Sequence, residues 1–138
     1  MDNFLACVES QGWVACLHAG LAITSLYFFL IISIWGYFRF FRRQGIDSNF
    51  WGVLAIGEIL LVGQSLLGGL LLAQGAQPAR GWLHILYGAV ILIMIPGAYL
   101  YTRGRGERAE IMVYSTAAII TCGLILRAIY TAQVSVLP

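Results

Sequence analysis

Four uninterrupted apolar runs, Trp13 to Phe38, Phe50 to Ala73, Trp82 to Tyr101 and Ile111 to Thr131, constrain this chain more than any other feature. Each reaches or exceeds the roughly 20 residues an α-helix needs to cross hydrocarbon. A backbone in lipid must satisfy its own hydrogen bonds, and the runs lack the alternation of a barrel strand, so each is predicted to be a transmembrane helix. The composition agrees: 60% of residues are hydrophobic and 10% charged, against roughly 45–50% and about 25% in soluble domains. Such a chain is not a soluble or disordered protein, a nucleic-acid binder or a disulfide-stapled mini-protein, each of which needs charge or cysteine that is missing here.

The connections between the runs set the orientation. Of the eight basic residues, all arginine, six stand in two loops: Arg39, Arg42 and Arg43 after the first run, and Arg103, Arg105 and Arg108 after the third. The opposite side carries Asp2, Glu9, the loop from Gln74 to Gly81 with Arg80 alone, and an uncharged tail ending at Pro138. By the positive-inside rule both termini are predicted to face outward. Residues before Trp13 include Glu9 and have no positive n-region, so the first run is expected to remain as a span rather than be cleaved. Short loops make consecutive helices antiparallel neighbours. The expected architecture is therefore an all-α integral membrane protein, one transmembrane domain over residues 1–138, built as an up-down-up-down four-helix bundle. Lipid and other membrane subunits are its expected partners, and a bacterial inner membrane its expected location. Pro96 and Gly97 are expected to kink the third span.

Ionisable groups inside a span are costly and tend to mark function. There are four: His18, Glu58, His84 and Arg127. At about 1.5 Å per residue, His18 lies about 7 Å inside Trp13, His84 about 3 Å inside Trp82, and Arg127 about 6 Å from the end of its span. All three are near the outer face. The first and third helices of such a bundle are diagonal, so His18 and His84 face each other across the core. A b-type haem requires two neutral imidazoles on opposite sides of the iron and cationic groups for its propionates. His18 and His84 offer the first, as axial ligands, while Arg127 and Arg80 offer the second. Gly88, one turn below His84, with Ala15, Ala22, Gly68, Gly69 and Gly123, supplies the small residues between which a macrocycle slides. Gln64, one turn before Gly68, is placed to hydrogen-bond a cofactor or a facing helix. The bland alternative is that two interfacial histidines bond to water or a neighbouring helix, and that Arg127 snorkels.

Glu58 lies deeper, about 10 Å from the inner end of its helix. A protonated carboxyl bonded to Tyr99, Ser115 or Thr116 is one reading, and a proton relay or quinone contact the other. Ser65 and Gly69 form a small-xxx-small pair suited to close helix packing. Cys7 and Cys16 fall on the outer side, where a disulfide is conceivable but not indicated by the spacing. Cys122 is expected to pack as a small hydrophobe. No Cys-x-x-Cys-His occurs, which excludes covalent c-type haem.

With His18-Ala-Gly-Leu-Ala, Gln64-Ser-Leu-Leu-Gly-Gly69 and Leu83-His84-Ile-Leu-Tyr-Gly88 in view, the chain resembles one four-helix half of haem A synthase. In that family, each half is a four-helix bundle whose first and third helices carry haem-ligating histidines. The resemblance covers about three of the four spans and implies that His18 and His84 are haem-ligand positions. The family enzyme has two such halves. Its catalytic half also carries a Glu one turn before the first His, a place held here by Val14 and Ala15.

Three functions follow as expectations. The first is a small b-type haem protein, transferring electrons to or from a quinone or a partner, or holding haem as a subunit of a respiratory or photosynthetic membrane complex. The second is an accessory or structural subunit, either cofactor-free or contacting a chlorophyll-type pigment. The third is a haem-modifying enzyme related to haem A synthase. Without the matching acid, the chain reads as an electron-transfer or accessory subunit rather than an enzyme.

Overall fold

The computed structural model describes residues 2–133 and contains five helices among them, with no strand. A short α1 (Asp2–Gln11) precedes four long helices: α2 (Trp13–Phe41), α3 (Ser48–Ala73), α4 (Gly81–Thr102) and α5 (Arg108–Gln133). The four long helices coincide with the four apolar runs and are long and apolar enough to cross a membrane. All exceed the apolar stretches at one end or both. α2, at 29 residues, is about 44 Å long and carries Arg39 past the end of its apolar stretch. The uncharged tail beyond Gln133 lies outside the described residues.

α1 is an addition to the expected architecture. The chain turns at Gly12, whose φ of +86° needs a residue without a side chain, and Cys7 is joined to Cys16 by a disulfide across that turn. The spacing of nine residues gives no sign of this pairing. A ten-residue helix is marginal alone, so the cross-link holds α1 against the start of α2. A maleimide titration checks it. Denatured without reductant, the chain is expected to take up one reagent, at Cys122, the free cysteine; after reduction it should take up three. Three equivalents in both states would contradict the cross-link.

α5 is the central helix. Half of its apolar stretch is buried (50%), against 22%, 17% and 17% for α2, α3 and α4. It packs extensively on α2 and on α4, α3 packs on α2, and α3 meets α4 only sparsely; the backbones of α2 and α4 do not approach each other closely, nor do those of α3 and α5, which touch only through side chains. The ring order α2, α3, α4, α5 with two diagonals is the arrangement the short loops predict. The core runs through Phe29 and Ile32, Phe50 and Leu54, Ile91 and Ile95, and Ile111, Tyr114 and Ala118. Lipid removes most of the hydrophobic drive between helices, so close packing and interhelical hydrogen bonds hold the bundle. Ser33 donates to the Ser115 carbonyl at 3.0 Å, Tyr37 shares a hydrogen with Thr116 at 2.9 Å, and Thr102 shares one with Tyr114 at 2.8 Å. Each such bond contributes about 0.6 kcal/mol on average. α4 continues through Pro96 to Thr102 as a single helix.

At the arginine-rich end the two loops are tied together. The Ile46 N–H donates to the Gly106 carbonyl at 2.7 Å, and the Arg108 Nε donates to the Phe40 carbonyl at 3.0 Å. Asp47 caps α3 by accepting from the Phe50 N–H and pairs with Arg39 at 2.9 Å. The Phe50 N–H and then Arg39 hold its carboxyl below the ordinary aspartate range. These contacts fix that end of the bundle, and the histidines stand at the other.

Candidate functional site: a histidine pair across the bundle

His18 lies in the second turn of α2, and His84 in the first turn of α4, whose N–H donates to the Arg80 carbonyl at 3.0 Å. Their rings face each other with centroids 6.2 Å apart and planes inclined at 65°. Both are half-buried. The diagonal placement expected from alternate helices at equal depth is thus realised, the two long side chains bridging helices whose backbones stay apart.

Each ring is oriented by a main-chain oxygen of a neighbouring helix. His18 Nδ1 lies 3.0 Å from the Gln64 carbonyl on α3, and His84 Nδ1 lies 2.9 Å from the Ala128 carbonyl on α5. A carbonyl oxygen only accepts, so Nδ1 carries the hydrogen in both rings. The neutral ring then keeps Nε2 as a bare lone pair. Two imidazoles fixed in the same tautomer, with both Nε2 atoms free to accept a metal, are the ligand form that metal sites use.

Local sequence makes these bonds reachable. In an α-helix the carbonyl of residue i points along the axis toward residue i+4, so a side chain at i+4 covers it. Position 68, four after Gln64, is glycine, and position 132, four after Ala128, is alanine. A Cβ built on Gly68 would stand 2.9 Å from His18 Cε1, closer than carbon atoms pack. Gly68 is therefore the seat of the His18 ring. The main-chain acceptors at 64 and 128 go beyond the expectations from sequence. The signal that points to them is a small residue one turn beyond each.

The remaining expected site residues are divided. Arg80 is half-buried at the start of α4, its N–H bonded to the Thr131 carbonyl at 3.0 Å, one turn from His84. Arg127 is exposed and lies over the Tyr130 ring at 5.6 Å, the arrangement of an interfacial cation on an aromatic rather than of a group turned inward. Gln64 contributes its main chain to His18, while its side-chain Oε1 is buried without a partner. Gly88, Gly69 and Gly123 have open space where a Cβ would stand, so none is required there by a contact within the chain.

Glu58 differs from expectation. Ser115 donates to the Ile111 carbonyl and Thr116 is bonded to Tyr37. Both are engaged along α5 and toward α2. Among the described residues nothing bonds Glu58, whose Oε2 is buried without a partner.

Comparison of this chain with protein-family models, with curated proteins and with solved structures finds no match.

Proposed function

We propose that this chain is a small membrane protein that binds one b-type haem between His18 and His84. It would serve in electron transfer or as a haem-holding subunit of a respiratory or photosynthetic membrane complex. The observation that carries the reading is the histidine pair: equal tautomers, opposed rings and centroids 6.2 Å apart. His18 and His84 would hold the haem iron through their Nε2 atoms, which the Nδ1 bonds to the Gln64 and Ala128 carbonyls leave free. Gly68 supplies the cradle, since any side chain there would displace one ligand.

A haem held there supplies reversible one-electron transfer, with a potential set by its ligands and surroundings. The chain's own residues bind and orient. His18 and His84 would donate their Nε2 lone pairs, the Gln64 and Ala128 carbonyls hold the rings against rotation, and half-burial limits access of water. Arg80, half-buried one turn before His84, would be the cation for a carboxylate at the membrane edge.

Orientation follows the same logic. Six arginines at one end favour the cytoplasmic side, and the Cys7–Cys16 disulfide at the other favours an oxidising compartment. We place both termini and the histidine pair on the outer side of a bacterial inner membrane.

The deciding measurement is a reduced-minus-oxidised spectrum with a pyridine haemochrome assay on the detergent-purified chain, His18→Ala and His84→Ala. A b-type signal of about one haem per chain, lost in each variant, is expected. A colourless protein, or a signal that survives both substitutions, would refute the reading and favour an accessory subunit.

A further inference from the structure

Away from the histidines, the sparse contact between α3 and α4 leaves a groove of about 210 Å³ on the outer surface of the bundle. Trp51, Ala55 and Glu58 line it from α3, Pro96 and Tyr99 from α4, and Tyr114 closes its floor from α5. The aromatic walls are ordered against one another: Trp51 lies edge-on to Tyr99 at 5.8 Å and to Tyr114 at 5.2 Å. Glu58 is the one acidic group among them, with Oε2 buried and unpartnered. The Tyr114 hydroxyl is taken by Thr102. The groove therefore holds a carboxyl that no group among the described residues satisfies, in surroundings where an unsatisfied polar atom is costly.

We propose that this groove binds the head group of a membrane-dissolved quinone, with the Glu58 carboxyl hydrogen-bonded to a quinone oxygen and the ring laid against the aromatic walls. Depth selects this class of ligand. Glu58 is seven residues beyond Trp51, the aromatic residue at the inner edge of the span, and so about 10 Å inside that edge, below the head-group level. A phospholipid head group stays at the interface, and a hydrocarbon chain offers no oxygen for the carboxyl. A quinone brings a planar neutral ring with two acceptor oxygens to that depth on an apolar tail. The site lies six residues along α3 from Gln64, about 9 Å, yet shares no residue with the histidine pair and does not depend on haem.

The test is titration of decylubiquinone into the chain in lipid nanodiscs, read by quenching of tryptophan fluorescence. Wild-type protein should show a saturable component that disappears in Trp51→Phe. Glu58→Leu is expected to raise the Kd about tenfold, while Glu58→Gln, whose amide still donates, stays close to wild type. Ala55→Phe fills the groove from an exposed position where folding is not at risk, and should abolish saturation even if the Glu58 variants express poorly. Quenching that rises linearly with quinone content, equal in wild type and Ala55→Phe, would overturn the proposal. So would saturation that Trp51→Phe leaves intact. The histidine variants, colourless or not, should titrate as wild type does.

Discussion

Replacing Gly68 with valine is expected to abolish the proposed haem binding without touching either histidine. The cause is local. A Cβ at this position would meet His18 Cε1 at 2.9 Å, and the ring cannot retreat without giving up its bond to the Gln64 carbonyl. The branched side chain would also cover that carbonyl. Losing the group that orients a metal-bound imidazole typically costs about 10–100-fold in affinity, and here ring position and orientation are lost together. Haem content by pyridine haemochrome should fall at least about tenfold. Gly63→Val on the same helix is the control, because open space surrounds that position and it is not among the small residues assigned to the macrocycle; it should keep its spectrum. Equal haem content in the two variants would mean that His18 is not seated as described.

The second large effect is on stability. Gly36, on α2, lies directly against Ser115 of α5. A Cβ there would collide with the Ser115 hydroxyl oxygen and stand 3.1 Å from Ser115 Cβ and 3.2 Å from Phe50 Cζ. Neither neighbour has room to yield, since Ser115 and Phe50 are both fully buried at 0%. Gly36→Val therefore forces α2 away from α5 and strains the Ser33 bond to the Ser115 carbonyl. Overpacking of this kind costs about 1–3 kcal/mol. Thermal unfolding followed by circular dichroism in detergent should show a clear fall in midpoint. Gly20→Val, in open space on the same helix, should leave it unchanged. A midpoint shared by both variants would argue against the α2–α5 contact.

The bundle is legible in the sequence because hydrophobic length and loop charge are properties of composition along the chain. Depth is legible for the same reason, and it places His18 opposite His84. Rotation about each helix axis is not. A helix that is apolar on every side gives little indication of which face turns inward. Ser115 and Thr116 match Glu58 in depth but point to α2, and Arg127 matches His84 in depth but lies on Tyr130. α1 escapes a reading for spans because residues 2–11 are too short and polar, and only the turn at Gly12 brings Cys7 to Cys16. The resemblance to half of haem A synthase rests on the same short motifs as the histidine pair, and it stands as a proposal with it.

The two oxygens that hold the imidazoles belong to the backbone, and this shapes how the protein can vary. Substituting Gln64 or Ala128 changes a side chain and leaves the acceptor in place. The constraint falls instead on the residues one turn further along, Gly68 and Ala132, and there only on size. A lineage could exchange most letters of α3 and α5 for other apolar ones and still present two imidazoles in the same tautomer at the same spacing. Such a site tolerates extensive drift while fixing two histidines and a glycine, so distant descendants of one ancestor would share its geometry long after their sequences ceased to align.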